Sequence, residues 1–125
     1  LHAMEGKISL LYVDDESINL KLFELNFKSK FRVVTALSGD EGLDILNSDP
    51  NISVVISDMR MPKMDGLEFI TKAKQSFPNI VYYILTGFDI TDEINDALSK
   101  NLINKHFRKP FNFREIEGAI TSALD

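Results

Sequence analysis

Asp14 and Asp15 close an apolar run at Ile8–Val13, Asp58 closes another, Thr86 a further one, and Lys109, followed by Pro110, stands where the last ends. Carboxylates that gather repel one another and push at least one pKa up, unless a cation joins them. Mg²⁺ suits such a group: it prefers six oxygens, keeps several waters, and takes one or two protein carboxylates together with phosphate oxygens. Mn²⁺ is a substitute. Asp15 and Asp58 are the candidate direct ligands, with Asp14 acting directly or through water, and the backbone carbonyl of Arg60 is the candidate to complete the set. A carboxylate can also attack phosphorus and form an aspartyl phosphate. Asp58 is the candidate nucleophile, because it stands alone at a strand end with a loop behind it. Lys109 would act as a point charge for the phosphoryl group, and the Thr86 hydroxyl could hydrogen-bond a phosphoryl oxygen. The pattern predicts a magnesium-dependent phosphorylation site.

These residues are useful only if they converge, so the elements that carry them matter. Five short apolar runs, at 8–13, 31–36, 52–57, 80–85 and 103–108, alternate with segments of helical period, which predicts βα units and a parallel sheet. Ser38 with Glu41 and Asn112 with Glu115 read as helix amino-terminal caps. Asp65-Gly66 reads as the turn into a helix over 67–75, and the helix from Ser17 to Phe27 carries one apolar stripe of Ile18, Leu22 and Leu25, widened by Leu20, Phe23 and Phe27. The first, third and fourth runs are almost continuously apolar, as inner strands covered on both faces must be. The second and fifth are more polar, which suits edges. With right-handed crossovers this division predicts a single doubly wound α/β domain: five parallel strands in the order 2-1-3-4-5, with five helices on both faces. The first and third strands are then neighbours. Asp14, Asp15 and Asp58 meet at the switch point outside their carboxyl ends, where ligands of such sheets bind.

Composition excludes other classes. The 125 residues suffice for one domain, and Leu1-His2-Ala3 ahead of Met4 look like a cloning remnant, which leaves residues 4–125 as the domain. A net charge of −5 argues against direct binding to nucleic acid, and no apolar stretch approaches the length of a membrane span. The expectation is a cytoplasmic protein. With no cysteine, disulfide, zinc-thiolate and thiol-nucleophile chemistry all fall away.

Taken together, Asp14-Asp15, Asp58 in Ser57-Asp58-Met59-Arg60-Met61-Pro62-Lys63-Met64-Asp65-Gly66, Thr86-Gly87 and Lys109-Pro110-Phe111 make the chain resemble a response-regulator receiver domain of two-component signalling, over residues 7–124. The resemblance implies that Asp58 accepts a phosphoryl group from a sensor histidine kinase or phosphotransfer protein. The domain would catalyse only its own phosphorylation and dephosphorylation. It also implies that Thr86 and His106 move together as a switch, reshaping the face of the fourth helix, fifth strand and fifth helix. That face would control an output domain or partner and is the candidate face for a homodimer. His106 stands where Tyr or Phe is usual, which would make the switch sensitive to pH. Arg60 and Phe88 occupy positions that influence water access in the family, and the Lys109-Pro110 bond is expected to be cis.

Each residue has a plainer reading. Asp14-Asp15 could be a turn with Asp15 or Ser17 as helix cap, Asp58 turn chemistry, and Lys109 a solvated charge. Those readings fail jointly, since independent turns have no reason to converge on one sheet end. A magnesium-dependent phosphohydrolase working through an aspartyl phosphate is the alternative function, but Asp58-Met59-Arg60 lacks the second acid two positions on. A flavin carrier would need a phosphate loop where the chain has two acids.

Overall fold

The computed structural model describes residues 6–87 and 90–125. The remnant-like amino terminus and Phe88 lie outside the described residues. The strands are β1 (Ile8–Val13), β2 (Phe31–Ala36), β3 (Ile52–Asp58), β4 (Val81–Thr86) and β5 (Lys105–Arg108). The helices are α1 (Ser17–Phe27), α2 (Gly39–Ser48), α3 (Gly66–Ser76), α4 (Asp92–Ser99) and α5 (Phe113–Leu124). The sheet order is β2-β1-β3-β4-β5 and every ladder is parallel, as the contrast between apolar inner runs and polar edges predicts.

Because strand side chains alternate, the sheet has two buried faces. On one, Leu11, Val55, Tyr82 and Ile84 pack with α2, α3 and α4 through Leu46, Phe69, Ile70, Ile94 and Ala97. On the other, Leu10, Tyr12, Ile56 and Leu85 pack with α1 and α5 through Leu20, Phe23, Phe27, Ile116 and Ile120. Aromatic rings dominate this second face: Phe23 stacks on Tyr12 at 4.2 Å and on Phe27 at 4.0 Å.

Those rings correct the sequence reading of α1. Ile18, Leu22 and Leu25, the stripe itself, are 64%, 48% and 53% exposed, while Leu20, Phe23 and Phe27, which widen it, are buried. The helix is apolar over most of its circumference, and the aromatic edge fits the ring cluster better than the aliphatic one. The cap also differs: α1 begins after Glu16, whose backbone N–H donates to Asp14 Oδ1 at 3.0 Å, so neither Asp15 nor Ser17 caps it.

The other caps follow their sequences. Ser38 and Asn112 accept from the backbone N–H groups of Glu41 and Glu115. Asp65 and Glu68 form a reciprocal capping box at α3, fixing the point where the chain leaving β3 becomes helix. β5 starts two residues later than its apolar run: Asn104 N–H still donates to Tyr82 O at 2.8 Å, but Tyr82 N–H donates to the Asn104 side chain at 2.9 Å and not to a backbone carbonyl.

Candidate functional site

Strand register sets the site. Val13 pairs with both Ala36 and Ser57, Asp58 with Leu85, and Thr86 with Arg108, so Asp14, Asp15, Asp58, Thr86 and Lys109 all leave the sheet at one edge level. Asp14, Asp15 and Asp58 each offer a carboxylate oxygen within 4.8 Å of the others. Asp14 is fully buried, Asp58 nearly so, and Asp15 is exposed at the mouth.

Lys109 Nζ lies 3.1 Å from Asp58 Oδ1 and 3.3 Å from Asp14 Oδ2. Its backbone N–H donates to Thr86 O at 2.8 Å, which ties the end of β5 to the end of β4, and its bond to Pro110 is cis. Burial pushes the Asp58 carboxyl above its ordinary value; Lys109 opposes this, and the charges of Asp14 and Asp15 add to it, leaving a net rise. Burial works against the Lys109 charge, but Asp58 and then Asp14 outweigh it and hold the ammonium above its usual range. One cation thus leaves the three carboxylates under-compensated. That is the electrostatic signature of a site suited to a hard divalent cation.

The loop after β3 is shaped to present Asp58. Gly66 N–H donates to Met59 O at 2.8 Å, Lys63 adopts a left-handed φ of 70°, and the Ser57 hydroxyl donates to Asp58 O at 2.8 Å. Arg60 lies in this loop and lines a cleft of about 290 Å³ together with Met61, Lys63, Thr86 and Thr91. Arg60 also stands where a phosphohydrolase of the alternative kind would carry its second acid. Thr86 is buried at the end of β4. His106 pairs with Ile84, so alternation puts it on the same face of the sheet as Thr86, the face that α4 covers.

Two contributors escape a reading by motif. The Tyr12 hydroxyl donates to Asp14 Oδ2 at 2.7 Å, and Asn19 Nδ2 donates to the same oxygen at 3.2 Å. Burial, the hydrogen bond to Asp14 and its charge push the Tyr12 phenol far above its ordinary value, so it stays a donor. Ser57 and Gly66, the ends of the motif around Asp58, donate to the carbonyls of Asp58 and Met59 respectively. A tyrosine in an inner strand that leads into two acids was the available signal for the first of the two; nothing in the sequence marked Asn19.

The family model "Response regulator receiver domain" matches residues 10–121. The chain is 36% identical over 118 residues to the transcriptional regulatory protein GlrR of Escherichia coli K12, covering 93% of this chain and 26% of that protein. It is 32% identical over 116 residues to the sporulation initiation phosphotransferase F of Bacillus subtilis 168, covering 92% of each. A solved receiver domain protein from Clostridium thermocellum superposes with a TM-score of 0.83 at 31% identity, covering 94% of each chain. The chain belongs to the response regulator receiver family. It spans about a quarter of the length of GlrR and less of the hydrogenase transcriptional regulatory protein HoxA of Cupriavidus necator, at 26% and 22%. Among the described residues, no helix is long and apolar enough to cross a membrane.

Proposed function

We propose that this chain is a phosphoacceptor switch in which Asp58 takes a phosphoryl group from a phosphohistidine of a partner kinase or phosphotransfer protein. The observation that carries this reading is the Lys109 ammonium bridging Asp58 and Asp14 within a cluster of three carboxylates. An Asp58 oxygen forms the new bond to phosphorus while the phosphorus–nitrogen bond breaks, and its electron pair leaves on the imidazole. Asp14, Asp15, Asp58 and the Arg60 carbonyl would hold Mg²⁺, or Mn²⁺ in its stead, which supplies neutralisation of charge on the transferring group. Lys109 turns to the phosphoryl oxygens and the Thr86 hydroxyl donates to one of them. His106, on the face that Thr86 shares, follows and alters the surface of α4, β5 and α5. An attached output domain, a partner protein or a second copy would read that surface, in the cytoplasm.

Intact-mass measurement after incubation with Mg²⁺ and a small phosphodonor tests the reading. One base-labile phosphoryl increment is expected on the wild type and none on Asp58→Asn; an unmodified wild type would refute it.

The exposed stripe of α1 supports a protein donor. Ile18, Leu22 and Leu25 recur at helical spacing, and Leu22 also lines a cleft of about 450 Å³ that runs to Lys109. A helical partner lying along this stripe would bring its phosphohistidine to Asp58. Leu22→Arg is expected to slow transfer from a phosphorylated donor protein by roughly tenfold or more, the scale of losing an interface anchor. The small-donor rate should not change. Equal protein-donor rates for the two forms would remove α1 from the docking surface.

A further inference from the structure

We propose that Tyr12 is a positioning residue of the metal site, its hydroxyl fixing the Asp14 carboxylate independently of Lys109. The inference rests on reading Asp14, Asp15 and Asp58 as a Mg²⁺ site. Asp14 is wholly removed from water, and a carboxylate in that position is costly unless donors match its oxygens. Four donors do so: Glu16 N–H on Oδ1, and the Tyr12 hydroxyl, Asn19 Nδ2 and Lys109 Nζ on Oδ2. Tyr12 makes the shortest of these contacts. Lys109 is shared with Asp58, so its hold on Asp14 weakens whenever phosphate or metal chemistry draws it away. Tyr12 has no such second allegiance. Its ring is pinned against Phe23, and its backbone lies in the inner strand β1 between Thr35 and Ile56, so the hydroxyl has a single direction in which to point. An aliphatic residue would fill the same core space and, when Lys109 departs, leave Oδ2 of Asp14 with only the longer contact from Asn19 Nδ2.

Tyr12→Phe keeps the ring and its stacking and deletes only the donor. Tyr82→Phe is the control, since it removes another buried hydroxyl, one that donates to Phe77 O away from the site. Calorimetric titration of the unphosphorylated proteins with Mg²⁺ is expected to show about tenfold weaker binding for Tyr12→Phe, within the range seen when a partner behind a metal ligand is lost. Tyr82→Phe should match the wild type. With Mg²⁺ raised to saturation, the phosphorylation rate of Tyr12→Phe with the small phosphodonor should return to within about twofold of wild type, as a defect confined to metal affinity requires. Thermal unfolding confirms that both variants are folded. If Tyr12→Phe binds Mg²⁺ as tightly as the wild type, or if saturation fails to restore its rate, the role assigned to Tyr12 is wrong while the carboxylate site stands. If the wild type itself binds no Mg²⁺, the underlying reading of the site fails and the inference with it.

Discussion

Gly66→Ala is expected to destabilise the domain by roughly 3 kcal/mol and to remove most phosphoryl uptake by Asp58, the upper range for forcing an atom into a packed position. A Cβ at residue 66 would lie 2.3 Å from the Asp58 carbonyl oxygen and 2.9 Å from Ile84 Cδ1. The isoleucine can rotate; the carbonyl cannot, because it belongs to the last residue of β3 and also accepts from the Ser57 hydroxyl. Relief must come from moving either the start of α3 or the backbone of the phosphoacceptor. The α3 end is held by the Asp65–Glu68 capping box and by Gly66 N–H on Met59 O, so the strain falls on Asp58. Two other glycines calibrate the effect. At Gly42 a Cβ meets the Phe69 ring at 2.9 Å, a side-chain clash that costs less, and at Gly118 it meets nothing within 4 Å. Gly118→Ala, in the interior of α5, should therefore stabilise by about 0.5–1 kcal/mol. Denaturant unfolding of the three variants checks the order; a Gly66→Ala domain as stable as wild type would show that the loop yields freely.

The sheet was legible because burial on both faces leaves a compositional mark: the runs of β1, β3 and β4 carry no charged residue before Asp58 at the end of β3, while Arg32, Lys105 and Arg108 mark the edges. The site was legible because its acids and lysine stand at strand ends, where a parallel sheet brings distant residues to one level. Orientation about a helix axis left a weaker mark. In α1, Ile18-Leu22-Leu25 and Leu20-Phe23-Phe27 are both apolar at helical spacing, and only the aromatic neighbours contributed by Phe31, Phe111 and Phe113 decide which turns inward. Tyr12 escaped for a related reason: in a strand read as core, a hydroxyl is invisible until the packing shows what its tip meets.

Without a divalent cation, Asp58→Asn is expected to be more stable than the wild type at pH 7 by about 1 kcal/mol, the scale of relieving a crowded carboxylate. The sign follows from linkage. Burial, with Asp14 and Asp15, raises the Asp58 carboxyl in the folded state above its ordinary 3.8, so the unfolded chain gives up this proton first. Stability from this group is then greatest below 3.8 and is lost as pH rises through the raised folded value, which is a penalty on the ionised form. Asparagine never ionises and escapes it. Lys109 does not reverse the outcome, because Asp14 Oδ2 remains its partner when Asp58 loses its charge. Thermal unfolding in chelator should show the asparagine variant ahead at pH 7, with the gap closing as pH is lowered toward 3.8. Mg²⁺ should invert the order. A ligand at a hundred times its dissociation constant stabilises the form that binds it by about 2.7 kcal/mol, and the variant, with one carboxylate fewer, gains less. If the wild type is already the more stable form in chelator, Lys109 alone balances the three carboxylates, and charge relief cannot be what draws the cation in.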